Sequence, residues 1–123
     1  MKADFRVFLD ACVLANYAVT DLLLRLAEHP RQYLPVWSQE VLGETYRTHT
    51  EKLGWDEEIA MSFQEALLEN FPEAMSSGYE HLLPAVDNDP KDQHVLAAAA
   101  HARAQVILTF NLKDFPAESL APW

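Results

Sequence analysis

Short β-prone runs alternate along this chain with longer segments of helical periodicity, and the first run stops at an acid. That run, Phe5–Leu9 (FRVFL), ends at Asp10. The stretch after it reads as helix to about Glu28, with Leu22, Leu23, Leu26 and Ala27 at helical spacing and His29-Pro30 closing it. Tyr33–Trp37 suggests a second short strand, broken by Pro35. Ser38 is then an N-cap, and Val41, Leu42, Tyr46 and Leu53 carry a helix from Gln39 to about Leu53. Asp56 begins a helix to about Asn70, and Phe71–Ser77 reads as a helical turn before a Ser-Ser-Gly loop. His81–Val86 predicts a further strand, Asp89-Pro90 opens a helix through Ala104, and Gln105–Thr109 predicts the last strand. The run Ala97–Ala100 would let that helix pack closely against a sheet.

Strands that alternate with helices predict an α/β domain with a largely parallel sheet. Ligands in such sheets bind beyond the carboxyl ends of the strands, so the acids there carry information. Asp10 follows the first strand directly. Asp87, Asp89 and Asp92 follow the run ending at Val86, and Asn111 and Asp114 follow the one ending at Thr109. Glu44 sits one or two turns into the helix after the second strand, within reach of the same edge.

Bulk properties narrow the class. A length of 123 residues fits one domain spanning 1–123. Half the residues are hydrophobic and three are glycine, which argues against disorder. The longest apolar runs, such as Val95–Ala100, are too short to cross a bilayer. The N-terminus carries acids within its apolar stretch and does not read as a signal peptide. A lone cysteine, Cys12, excludes an internal disulfide and a cysteine-rich zinc site, so a cytoplasmic protein is expected. The formal charge of −10 disfavours a binding module that covers phosphates with Lys and Arg. It is compatible with acids gathered round divalent cations, or with a basic partner segment.

Oxygen-rich clusters suit hard cations such as Mg²⁺ and Mn²⁺. Without the ion, neighbouring carboxylates repel and some take up protons. With it, a phosphodiester can be polarised and hydrolysed. Each residue also has a plainer explanation. Asp89-Pro90-Lys91-Asp92 looks like a helix start, with Asp89 as N-cap and Asp92 at N3. Capping and metal binding explain Asp92 equally well, whereas capping leads for Asp89. Asp10 is evenly divided between the two roles. Glu44 alone reads as an exposed helix residue, and Asn111 and Asp114 could shape a turn. His94 and His101, seven apart, are expected at the surface or partly buried, Cys12 as a small buried hydrophobe, and Trp37, Trp55 and the phenylalanines in the core.

From Phe5 to about Pro116 the chain resembles the PIN-domain nucleases, a class that includes the toxin halves of many bacterial toxin–antitoxin pairs. FLDACVL, WSQEVLGETYR, DPKDQHVLAAAAHA and VILTFNLKDFP carry the likeness, the last two in this order being the specific part. The resemblance implies a three-layer α/β/α domain and a divalent-metal-dependent endoribonuclease acting on single-stranded or loop RNA. Asp10, Glu44 and Asp92 match the family's metal-holding acids. Asn111 matches a fourth position that is Asp or Asn, and its neutrality argues against a tightly held second ion. Asp114, Thr109 and Asp89 are accessory candidates. An antitoxin whose tail blocks the site is also implied.

Relatives usually continue into a final edge strand, whereas this chain stops at Leu120-Ala-Pro-Trp. Four strands are therefore expected, with Gln105–Thr109 as an exposed edge able to pair with a second copy or a partner. The alternative function is a catalytically weak PIN-like protein-interaction module. A phosphatase with an aspartate nucleophile would show Asp-x-Asp where this chain has Asp10-Ala11-Cys12. A response regulator would show a paired acid before the first-strand aspartate and a lysine at a late strand end, where Lys113 lies too far into the loop.

Overall fold

The computed structural model describes residues 5–28, 32–87 and 92–111. Its elements run β1 (Arg6–Leu9), α1 (Ala11–Leu14), α2 (Tyr17–Glu28), β2 (Leu34–Ser38), α3 (Gln39–Arg47) and a π-helical turn at Thr48–Lys52. They continue with α4 (Glu57–Asn70), β3 (Met75–Ser76), a 3₁₀ helix at Glu80–Ala85, α5 (Gln93–His101) and β4 (Val106–Leu108). The four strands form one parallel sheet in the order β3-β2-β1-β4.

Consecutive strand residues point to opposite faces. Phe8 and Leu9 are both fully buried, as are Val36 and Trp37 to within a few per cent, so both faces of the sheet are covered. This is the expected three-layer α/β/α arrangement. Ala97, Ala98 and Ala99 of α5 are buried, and Ser76 Oγ donates to the Ala98 carbonyl oxygen at 2.9 Å. The alanine run allows that close approach, because a larger side chain would hold the helix off the strand.

Several expectations need correction. The segment after Asp10 is two helices rather than one. Asn16 breaks it by starting α2, its Oδ1 accepting from Val19 N at 3.2 Å, while Thr20 Oγ1 caps the Val13 and Leu14 carbonyls at 2.9 Å each. The helix from Gln39 is α-helical only to Arg47 and then widens into the π turn. Pro35 does not break β2. N–H groups alternate sides along a strand: Leu34 N donates to Phe5 O on the β1 side, and Trp37 N to Ala74 O on the β3 side. The N–H that Pro35 lacks would face a side where β3 has not yet begun, since that pairing starts at Trp37.

His81–Val86 is not a strand. Glu80–Ala85 coils into a 3₁₀ helix with Leu82 N donating to Tyr79 O, and Pro84 has no N–H to give a ladder. The strand lies earlier, at Met75–Ser76, where a helical turn was expected. Gln105–Thr109 does hold a strand, β4, which ends the described sheet beside β1.

Candidate active site

In the order β3-β2-β1-β4 the chain leaves β1 toward β2 on one side and returns as β4 on the other. The crevice beyond the carboxyl ends of β1 and β4 is therefore the topological switch point, the usual ligand position in open parallel sheets. Asp10 stands at the end of β1 and Thr109 at the end of β4, both buried.

Asp10 is the N-cap of α1, with Oδ1 accepting from Ala11 N at 2.7 Å. Its Oδ2 accepts from Thr109 Oγ1 at 2.8 Å. The carboxylate is thus held from two elements. Capping and site duty turn out to be compatible, since the cap fixes the orientation the site would need. Thr109 Oγ1 also accepts from Asn111 N at 3.0 Å and so ties the turn after β4 to Asp10.

Cys12 is only half-buried, contrary to its expected place in the core. Its Sγ accepts from Phe110 N at 3.3 Å and lies 3.5 Å from Thr109 Oγ1 and 3.7 Å from Asp10 Oδ2. Burial pushes the thiol pKa up; Thr109 and Phe110 pull the other way, and the Asp10 charge raises it further. The thiol stays protonated at neutral pH.

Glu44 lies on α3, whose start is capped by Ser38 Oγ accepting from Val41 N at 3.2 Å, as the sequence predicts. His94 Nε2 sits 3.0 Å from Glu44 Oε2. Burial, the largest single influence, pulls the imidazole pKa down. The hydrogen bond and charge of Glu44, with Glu40 and Asp92 nearby, outweigh it and leave the pKa raised. Asp92 directly precedes α5 and makes no side-chain capping hydrogen bond to it; the expected helix start at Asp89, against which its N3 position is counted, lies outside the described residues. Asp89 and Asp114 lie outside the described residues.

Asp10, Glu44, Asp92 and Asn111 line one open cleft of about 890 Å³. Four separate segments deliver them. Among the described residues no three His, Cys, Asp or Glu side chains stand close enough together to hold a metal ion. The donor set nonetheless suits a hard divalent cation, which commonly takes one or two carboxylates and fills its remaining positions with water and substrate oxygens. In donor type, though not in the spacing of three ligands at once, the residues fit such an ion, with His94 engaging one of the two Glu44 oxygens.

Sequence reasoning missed His94, whose distance to Glu44 is set by how α5 packs beside α3. It also missed other residues that line the cleft, Tyr17, Arg47, Lys52 and Trp55. Trp55 was expected in the core, and only Trp37 of that pair is there. Nothing in the local sequence marks these four as neighbours.

The PIN domain family model matches residues 4–113, and the chain belongs to that family. Over 50 residues it is 52% identical to a Mycobacterium tuberculosis protein named "Putative ribonuclease VapC50". That match covers 41% of this chain and 30% of the relative, so the chain matches less than a third of that protein's length. No solved structure shows a significant match.

Proposed function

We propose that this chain is a divalent-metal-dependent endoribonuclease, using Mg²⁺ or Mn²⁺, and the toxin half of a toxin–antitoxin pair. The observation that carries the reading is the convergence of Asp10, Glu44, Asp92 and Asn111 on one cleft at the sheet's switch point. Family membership and the likeness to the mycobacterial protein support the ribonuclease assignment.

Asp10, Glu44 and Asp92, which line one cleft but do not yet stand as a closed set of three ligands, would draw together on the ion, with Asn111 beside them. The ion would supply Lewis acidity at the phosphate and the positive charge that lets an acidic cleft accept an anionic substrate. The remaining work belongs to the protein's own groups. Ala11 N and Thr109 Oγ1 hold the Asp10 carboxylate in one orientation. His94 holds Glu44, and Cys12, protonated, serves as a neutral wall rather than a nucleophile.

An antitoxin tail carrying a basic side chain would complement a chain of net charge −10. The edge of β4, where Val106 is 39% exposed, is the surface through which a second copy would pair. Among the described residues no helix is long and apolar enough to cross a membrane. A cytoplasmic location suits an enzyme acting on RNA.

The test is cleavage of a mixed RNA pool with Mn²⁺, with Mg²⁺ and with EDTA, Asp92→Asn alongside. Metal-dependent cleavage that the variant loses is expected. The second reading, a catalytically weak interaction module, is favoured by the absence of a closed three-ligand cluster among the described residues. Folded protein that neither cleaves RNA nor binds either ion in calorimetry would establish that reading instead.

A further inference from the structure

The cleft that holds the acids is also lined by side chains of different chemistry, whose role as a substrate contact rests on the nuclease reading. Tyr17, the first residue of α2, is 59% exposed, a large fraction for an aromatic side chain. Its ring centroid is 6.4 Å from that of Trp55, at 62°. Trp55 is half-buried and backed by protein. It stacks on His49 at 3.6 Å with the planes 4° apart, and Phe63 meets it edge-on at 6.0 Å. His49 is itself fully buried, and its Nε2 reaches the Ala15 carbonyl oxygen at 3.3 Å, at the break between α1 and α2. The aromatic wall therefore stands on a fixed base.

Two cationic side chains line the same cleft. Arg47 ends α3 and Lys52 ends the π turn, and both line the cleft, with Glu51 between them in sequence. The cleft lining carries two cations against four acids, Asp10, Glu44, Glu51 and Asp92, so Arg47 and Lys52 are the positive groups an anionic strand would meet there. The π turn is what brings Lys52 there, and single π turns recur at functional sites. A role for Trp55 as a lid over His49 and Phe63 explains its buried side. It explains neither the exposure of Tyr17 nor the cations.

We propose that Tyr17 and Trp55 form a stacking subsite for one unpaired base of single-stranded RNA, while Arg47 and Lys52 receive the phosphates flanking that base. Aromatic faces beside backbone-tracking cations are the usual means of holding single strands. A base inside a duplex has both faces covered by its neighbours, so the subsite selects unpaired RNA.

The test uses anisotropy of a labelled eight-nucleotide single-stranded RNA in Ca²⁺, with an abasic ribose-phosphate strand of equal length beside it. Tyr17→Ala should weaken binding of the normal strand about tenfold. It should leave binding of the abasic strand unchanged. Lys52→Ala should weaken both strands and reduce the salt dependence by about one counterion. Both side chains are exposed, so the variants should fold, as circular dichroism would verify. Unchanged affinity in both folded variants, equal affinity for the two strands, or no binding by the parent protein would overturn the subsite. Tyr17-dependent binding without cleavage in Mn²⁺ would keep the subsite and remove the nuclease reading. Cleavage with binding indifferent to Tyr17 would do the reverse.

Discussion

His94 Nε2 lies 3.0 Å from Glu44 Oε2, joining the first turn of α5 to the middle of α3. The two residues are fifty positions apart, and the His94 side chain is 11% exposed against 33% for Glu44. A carboxylate on a half-exposed helix face has many rotamers. One partner fixed in a packed helix removes most of them.

His94 should therefore act through Glu44. His94→Ala is expected to lower kcat/KM about tenfold, in line with losses of supporting partners around metal ligands. Glu44→Gln should cost more, and the double variant no more than Glu44→Gln alone. Kinetics of the three variants form a double-mutant cycle. Additive losses would separate the two residues.

Asp10→Asn and Asp92→Asn should both abolish hydrolysis but differ in stability. Asp10 accepts from both Ala11 N and Thr109 Oγ1, and an amide offers only one acceptor oxygen, so its replacement should cost about 1 kcal/mol. Asp92 makes no side-chain capping bond to α5, and in EDTA relief of repulsion among the acids should make its replacement less costly than that of Asp10. Urea unfolding in EDTA separates the two, and cleavage by either variant would remove that residue from the site.

Thr109→Val keeps the side-chain shape but removes the donor to Asp10 and the acceptor for Asn111 N. A loss of about 1–3 kcal/mol is expected, chiefly for leaving the buried Asp10 oxygen without its donor. Thr109→Ser should restore most of it. Equal stability of the two variants would show that the hydroxyl is unimportant.

His49 gives the pH dependence. Burial lowers its pKa in the folded protein, partly offset by the Ala15 carbonyl, so the neutral ring is the one that folds. Its contribution is present above the unfolded value of about 6.5 and is lost as pH falls through that value toward the folded pKa. Unfolding in urea at about pH 7.5 and about pH 5, on either side of that value, should show a smaller acid-side loss for His49→Phe than for the parent. An identical loss in both would place the acid sensitivity elsewhere.

Ala97 is fully buried in α5. Ala97→Leu should destabilise by about 1–3 kcal/mol through overpacking. Thermal unfolding reads this directly, and an unchanged midpoint would mean that the helix has room to move away.

The local sequence determined the elements whose signals are strong over short range. FRVFL followed by Asp10 marked β1 and its cap, Ser38 marked the start of α3, and the alanine run marked the helix that lies on the sheet. The order of strands and helices placed Asp10 and Asn111 at one edge with Glu44 within reach, because a parallel sheet aligns its carboxyl ends; Asp92 reaches the same cleft following a 3₁₀ helix rather than the strand expected before it.

Sequence pattern failed where two backbone states compete for the same composition. His81–Val86 has strand-like residues, yet Pro84 and the Tyr79 carbonyl favour a 3₁₀ turn, and two residues at Met75–Ser76 supply the strand because β2 offers them a partner. Only the tertiary structure decided that His94 grips Glu44, that Cys12 faces Asp10 and Thr109, and that Trp55 stands on His49 beside Tyr17. Three of these contacts, His94 to Glu44, Cys12 to Thr109 and Trp55 to Tyr17, join residues far apart along the chain, Cys12 and Thr109 by ninety-seven positions. Their distances depend on how helices seat on the sheet, and that seating is set by packing of the whole core rather than by any local run of residues.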